Sequence, residues 1–371
     1  MSTGQPIARP WADACPGVLR LTAAADGALA RVRLPGGFLT AHGATALASA
    51  AAELGDGRLE LTSRGNVQLR GLAQDAGTDL GERLYDAGLW PSQSHERVRN
   101  IVASPLAGLD RASDVSHLVH ALDEALCDRA ALVALSGRFL YAVDDGRGDV
   151  AGLGADVLVR PGMVNGLATG DEVGAALAFA EAFLDERAAQ RSDAWRITDL
   201  VEGTERVQIR VAARLGLAPA SEPDVESGGP PPAGLVRQFG GGVALVVAVP
   251  LGRLSREQLR WLTGVIGDRA ARITPWRTIV LPDADTGAAA DAAELGLGVT
   301  ADSPWLNVSA CAGRPGCGKA LADVQADARA ALDRWPGQIV HWSGCERRCG
   351  RGTRTDIDVV ATESRYRIEG A

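Results

Sequence analysis

The chain has 371 residues, 46% of them hydrophobic and 23% charged, which is globular composition with room for two or more domains. A net charge of -8 excludes a protein that coats nucleic acid, which needs a basic surface, and no apolar run approaches the length of a membrane span. Forty-five glycines against 3 tyrosines and 5 phenylalanines predict many turns and close backbone approaches.

In chain order, Gly27 to Leu34 alternates like a strand. Leu39 to Leu54 reads as an apolar-rich helix opened by Thr40 and stopped by Gly55, and Arg58 to Gly71 alternates again. Val98-Arg-Asn-Ile-Val-Ala-Ser-Pro105 leads to a helix from Val115 to Cys127. A strand over Ala131 to Leu135, the loop Ser136-Gly-Arg138 and a strand over Asp156 to Val159 follow. The segment from Leu217 to Gly234, with its Glu-Ser-Gly-Gly-Pro-Pro-Pro core, reads as a linker.

The second half repeats the order. Gly242 to Pro250 is an apolar strand, Ser255 opens a helix to Ile266, and Arg272 to Pro282 is a further strand. Trp305-Leu-Asn-Val-Ser-Ala-Cys311 then leads to a helix over Leu321 to Leu332 and a strand over Gln338 to His341. The Cys345 loop and a strand over Asp356 to Val360 complete it. Duplication explains this economically. An α+β chain is expected, with ferredoxin-like half-domains at 15–90 and 235–298, α/β domains at 95–215 and 300–371, a linker at 216–234, and pseudo-twofold symmetry between the halves.

Of six cysteines, four fall into two tight pairs, Cys311-x5-Cys317 and Cys345-x3-Cys349. Thiolates so arranged can hold an iron–sulfur cluster, in which each iron takes one protein sulfur. Zinc and disulfides stay open as alternatives. Zinc sites space their cysteines by two to four residues, which fits Cys311 and Cys317 poorly. Disulfides need an oxidising compartment, whereas Met1-Ser-Thr-Gly-Gln-Pro6 lacks a secretory start, so a cytoplasmic location is expected. Cys15 and Cys127 read as buried small residues.

Strand alternation sorts the arginines by face. Leu59, Leu61, Val67 and Leu69 oppose Thr62, Arg64, Asn66, Gln68 and Arg70, and Ala30, Val32 and Leu34 oppose Arg31 and Arg33. The polar face carries up to four guanidiniums plus amides, interrupted by Glu60, and suits carboxylates or small oxyanions as well as plain solvent. Arg99, Asn100 and Arg138 are loop candidates whose value depends on convergence with that face. His117 and His120, spaced i, i+3, fit a packed helix better than a metal site. His42, His95 and His341 are no stronger.

These residues resemble the nitrite and sulfite reductase family, and most closely its precorrin-3B synthase branch. The resemblance is carried by Arg31-Val-Arg-Leu-Pro-Gly-Gly37, Leu61-Thr-Ser-Arg-Gly-Asn-Val-Gln68, Arg99-Asn100, Ser309-Ala-Cys311 with Cys317, and His341-Trp-Ser-Gly-Cys345 with Cys349. It implies a duplicated nitrite/sulfite reductase-like fold and a 4Fe-4S cluster on Cys311, Cys317, Cys345 and Cys349. In the reductases the cysteine matching Cys349 also bridges to sirohaem iron. The resemblance further implies catalytic roles for Arg33, Arg64, Arg99 and Arg138, and cofactor contacts from Arg31, Thr62, Asn66, Gln68, Arg70 and Asn100.

Two departures separate the branches. The proton-feeding two-lysine segment of the reductases reads Ser136-Gly-Arg138-Phe139-Leu140 here, and the cluster loop reads Cys345-Glu-Arg-Arg-Cys349 where reductases favour a Pro-Asn start. What the resemblance then implies is an oxygen-dependent monooxygenase of aerobic cobalamin biosynthesis. It converts precorrin-3A to precorrin-3B by hydroxylating carbon 20 and closing a lactone with the ring A acetate. A second iron, as sirohaem or a mononuclear ion, is implied without readable ligands. No Gly-x-Gly-x-x-Gly follows a strand, so NADH is expected to act through a separate reductase, an electron-donor protein. The alternatives are a sirohaem-dependent nitrite or sulfite reductase and a non-catalytic tetrapyrrole-binding iron–sulfur protein. No nucleic-acid or membrane partner is expected.

Overall fold

The computed structural model describes residues 7–370 apart from 10–12, 111–112, 221–227 and 353. Residues 221–227 of the expected linker thus lie outside the described residues. The chain divides into two compact units, Met1–Gly17 with Arg33–Phe38 and Trp90–Pro230, and Val18–Val32 with Leu39–Leu89 and Pro231–Ala371. Among the described residues no helix is long and apolar enough to cross a membrane.

The second unit contains both ferredoxin-like repeats. In the first sheet the order is Thr22–Ala24, Gly27–Val32, Val67–Leu72, Leu59–Leu61 and Arg253–Leu254. In the next it is Gly234–Arg237, Val243–Ala248, Thr278–Leu281, Ala271–Ile273 and Phe38–Leu39. Each sheet is therefore closed by a two-residue strand from the other repeat. The helices Ala41–Leu54 and Arg256–Val265 begin where their caps dictate: Thr40 accepts from the Gly43 amide, and Ser255 forms a reciprocal capping box with Gln258.

Two expected strands are in fact hairpins. Arg58 to Gly71 breaks into Leu59–Leu61 and Val67–Leu72 because Thr62 Oγ1 accepts from the Asn66 amide at 3.1 Å and Gly65 takes φ +65. Arg272 to Pro282 breaks likewise into Ala271–Ile273 and Thr278–Leu281, with Arg277 at φ +59 in the turn. A simple alternation missed both turns.

The same unit holds a four-stranded sheet in the order Val308–Ala310, Val340–Ser343, Ile357–Ala361 and Tyr366–Glu369. Its first three strands are parallel and the last returns antiparallel. Val324, Ala328, Trp342, Ile357 and Val359 fill its core, with the helix Val324–Ala330 packed on it.

The other unit repeats this plan. Ile101–Ala103, Tyr141–Val143 and Val157–Arg160 run parallel, and Met163–Val164 returns antiparallel. The helices Ser116–Cys127, Glu172–Ala189 and Gly203–Leu215 bring Leu122, Phe179, Phe183 and Val207 into a core with Phe139 and Tyr141. The strand expected at Ala131 to Leu135 is a 3-10 turn, Ala130–Ala134, which buries only Leu132. The other four residues of the turn are exposed and leave no strand-like inner face.

Candidate metal centre

The cysteine loops leave one edge of one sheet. Cys311 follows Val308–Ala310 directly, and Cys345 follows the adjacent parallel strand Val340–Ser343 after a single glycine. Loops at the carboxyl ends of neighbouring parallel strands are where open α/β sheets place their ligands.

Backbone contacts draw the loops together. The Cys311 amide donates to the Trp342 carbonyl at 2.9 Å, and the Gly344 amide donates to Cys311 Sγ at 3.1 Å. Burial pushes the Cys311 thiol up, the Gly344 and Gly313 amides oppose it, and the thiols of Cys349 and Cys317 add to the rise. Cys317 and Cys349 thus stand within electrostatic reach of Cys311, with Cys345 next to the amide that touches it. Gly344 is required by this approach: a Cβ there would lie 2.7 Å from Ala320 Cβ.

All six cysteines are free thiols, Cys349 is the exposed member of the four, and Cys15 and Cys127 belong to the other unit. Among the described residues no three His, Cys, Asp or Glu side chains converge on a single metal ion.

Polar side chains back both loops. In register across the first sheet stand Arg31, Gln68, Glu60 and Arg253, one from each of four strands. Arg31 donates to Gln68, Gln68 donates to Glu60 at 3.2 Å, and Glu60 pairs with Arg253 at 3.0 Å. Arg253 continues to Gln325 Oε1 at 3.2 Å, and Gln325 donates to the Cys311 carbonyl at 3.2 Å. Arg70 reaches the Gly316 carbonyl at 2.7 Å, one residue before Cys317. Thr62 and Asn66 shape the turn that carries half-buried Arg64.

Glu60, Arg253, Gln325 and Arg277 were not readable as site residues. Arg277 meets its loop across 73 positions, and Glu60 and Arg253 reach the other loop only through Gln325, so no local spacing marks them as a set. Arg277 extends from its turn to the Gly350 carbonyl at 3.5 Å.

The other unit holds the remaining candidates, and most are engaged inside it. Arg33 is buried and donates to the Arg97 carbonyl at 3.2 Å. Arg99 forms a two-bond pair with Asp123 at 2.7 and 2.6 Å, and fully buried Asn100 donates to the Phe139 carbonyl at 3.1 Å. Arg138 is exposed, its guanidinium 4.8 Å from the Trp195 ring centre. His120 stacks on Phe38 at 5.2 Å, a packing role.

The sequence matches the nitrite/sulfite reductase ferredoxin-like half domain twice, over residues 17–86 and 236–295. It is 27% identical to a precorrin-3B synthase from Sinorhizobium sp, with 95% of this chain and 81% of that protein aligned. It is 26% identical to the ferredoxin–nitrite reductase of Synechococcus elongatus, over 91% of this chain and 77% of the relative. The two matches, one in each half, make the nitrite and sulfite reductases the family that this chain resembles. Both of these relatives are enzymes. The NirA protein of Mycobacterium tuberculosis has a similar fold, with a TM-score of 0.73 at 19% identity over 90% of this chain and 71% of that one.

Proposed function

We propose that this chain is the oxygen-dependent monooxygenase that converts precorrin-3A to precorrin-3B, with a 4Fe-4S cluster on Cys311, Cys317, Cys345 and Cys349. The observation that carries the reading is the meeting of two cysteine loops at one sheet edge. The donor set suits the group: four free thiols on two loops that leave adjacent parallel strands, one of them already accepting an amide N–H at 3.1 Å from Gly344, the kind of bond that tunes cluster potential. When bound, the cluster supplies electrons singly to the iron that activates dioxygen.

The chain's own residues bind and orient. The substrate is a tetrapyrrole bearing many carboxylates; Arg31 stands in the first sheet and Arg64 in the turn between Leu59–Leu61 and Val67–Leu72, and charge-assisted bonds from such guanidiniums can hold carboxylates. Arg33, Arg99 and Arg138 are proposed for the catalytic roles that the resemblance implies. Atoms balance with two electrons and two protons: one oxygen atom enters the substrate and the other leaves as water. NADH supplies the electrons through a separate electron-donor protein.

The synthase branch is favoured over the reductases at one position. Where the family's second proton-feeding lysine would stand, Leu140 is 2% exposed and carries no proton. The similarity to a nitrite reductase keeps a sirohaem-dependent reductase as the second reading.

The test is anaerobic purification with iron, sulfide and acid-acetone sirohaem analysis, followed by precorrin-3A turnover under labelled dioxygen. Label in the product supports the proposal. Sirohaem with nitrite or sulfite turnover establishes the reductase instead, and a reducible cluster inert to all three substrates establishes a carrier. Serine at any of Cys311, Cys317, Cys345 or Cys349 is expected to lose iron, whereas C15S and C127S keep it.

A further inference from the structure

His341 lies on the strand Val340–Ser343, opposite Ser309, and is fully buried. Its Nδ1 is 2.8 Å from Ser309 Oγ and its Nε2 is 3.2 Å from the carbonyl oxygen of Cys349. A carbonyl only accepts, so the ring proton sits on Nε2. Nδ1 is then the acceptor, and the Ser309 hydroxyl, which also lies 3.3 Å from the Val340 carbonyl oxygen, donates to it at the shorter distance.

One imidazole thus spans both cysteine loops. Ser309 stands two residues before Cys311 on the strand that delivers it, and Cys349 closes the opposite loop. Cys349 is also the exposed thiol of the four, with least packing of its own.

We propose that His341 is a positioning residue that fixes the Cys349 backbone against the strand entering Cys311, and so sets how firmly the fourth thiol is held. This rests on reading the four cysteines as one cluster site. Groups that orient a metal ligand through hydrogen bonds typically change metal retention by about 10- to 100-fold when removed.

His341→Leu keeps the volume and loses both bonds. His341→Gln keeps an N–H at the reach of Nε2, and Ser309→Ala removes one of the two bonds of His341 together with the hydroxyl's contact to the Val340 carbonyl. The readouts are iron loss to a chelator from anaerobically loaded protein, the electron paramagnetic resonance signal of the reduced protein, and alkylation of Cys349 in metal-free protein. H341L is expected to lose iron roughly 10-fold faster and to shift the signal, H341Q to stay near the parent, and S309A to fall between. Should H341L fail to fold, S309A carries the test. Iron loss and signal equal to the parent's in the folded variants overturn the proposal.

If even the parent binds no cluster, the cluster reading is what fails. The alkylation rates still decide the tie: faster modification of Cys349 in H341L or S309A upholds it, and equal rates overturn it.

Discussion

Arg70 donates from Nη2 to the carbonyl oxygen of Gly316 at 2.7 Å, fastening a central strand of the first ferredoxin-like sheet to the loop that ends in Cys317. The same guanidinium donates to both carboxylate oxygens of Asp26 at 2.9 Å. Its side chain is 8% exposed, so three acceptor atoms depend on it in a nearly dry place. Gly316 keeps this contact open: a Cβ there would stand 3.0 Å from Asp26 Oδ2 and 3.2 Å from Arg70 Nη2.

Arg70→Met should therefore cost about 3 kcal/mol, because it leaves Asp26 and the Gly316 carbonyl without their donor. Arg70→Lys keeps charge but cannot serve three acceptors with one planar fork, and should fall between. Denaturant unfolding measures the cost. A loss under about 0.5 kcal/mol in R70M would show that the contact stabilises nothing.

Gly344→Ala should disrupt the cysteine loops without touching a thiol. The added methyl would meet Ala320 Cβ at 2.7 Å, and alanine has no flexible end to move aside, so the backbone must shift. That shift acts on the amide that donates to Cys311 Sγ and on Cys345 beside it. A cost of about 1–3 kcal/mol is expected. Iron retention should fall with it, and an unchanged melting temperature together with unchanged iron content would refute the packing argument.

How far the site could be read from sequence follows from how local its signals are. The caps Thr40 and Ser255 act within three residues, and both helices start where those residues place them. The cysteine pairs are also short-range and were visible. The hairpins were not, because Thr62 and Thr274 act through turn bonds that alternation alone does not weigh. Least legible was the sheet face: Arg31 and Gln68 share it as alternation requires, yet Arg253 enters it from the other repeat and pairs with Glu60. A face expected to be cationic is thus partly neutralised across strands. Arg70, on the expected face, turned out to hold a cysteine loop.

Arg99 and Asp123 give a test that separates support from chemistry. Arg99 is 4% exposed and makes two short bonds to Asp123, an arrangement in which either partner alone is costly to leave behind. Arg99→Gln and Asp123→Asn should each destabilise by about 2–3 kcal/mol. The double variant should cost less than their sum, by about 1 kcal/mol or more. Strict additivity in equilibrium unfolding would deny the pair.

Asp149 predicts how stability responds to pH. It is 5% exposed, and burial pushes its carboxyl up to about 6, with Asp144 and Asp145 adding and Ser104 and Arg147 opposing. Because the folded value lies above the unfolded value of about 3.9, the folded state binds more protons between those limits. The stabilisation is fully present below pH ~4, is lost as pH rises through about 6, and changes little beyond. Asp149→Asn keeps an oxygen for the Ser104 hydroxyl, which now donates to Oδ1 at 2.6 Å, while removing the titration. Comparing unfolding free energies at pH 4.5 and 7, the parent should lose more stability than D149N over this interval, by about 2 kcal/mol. If the two proteins change in parallel, the carboxyl of Asp149 titrates at an ordinary pH and its burial does not raise it.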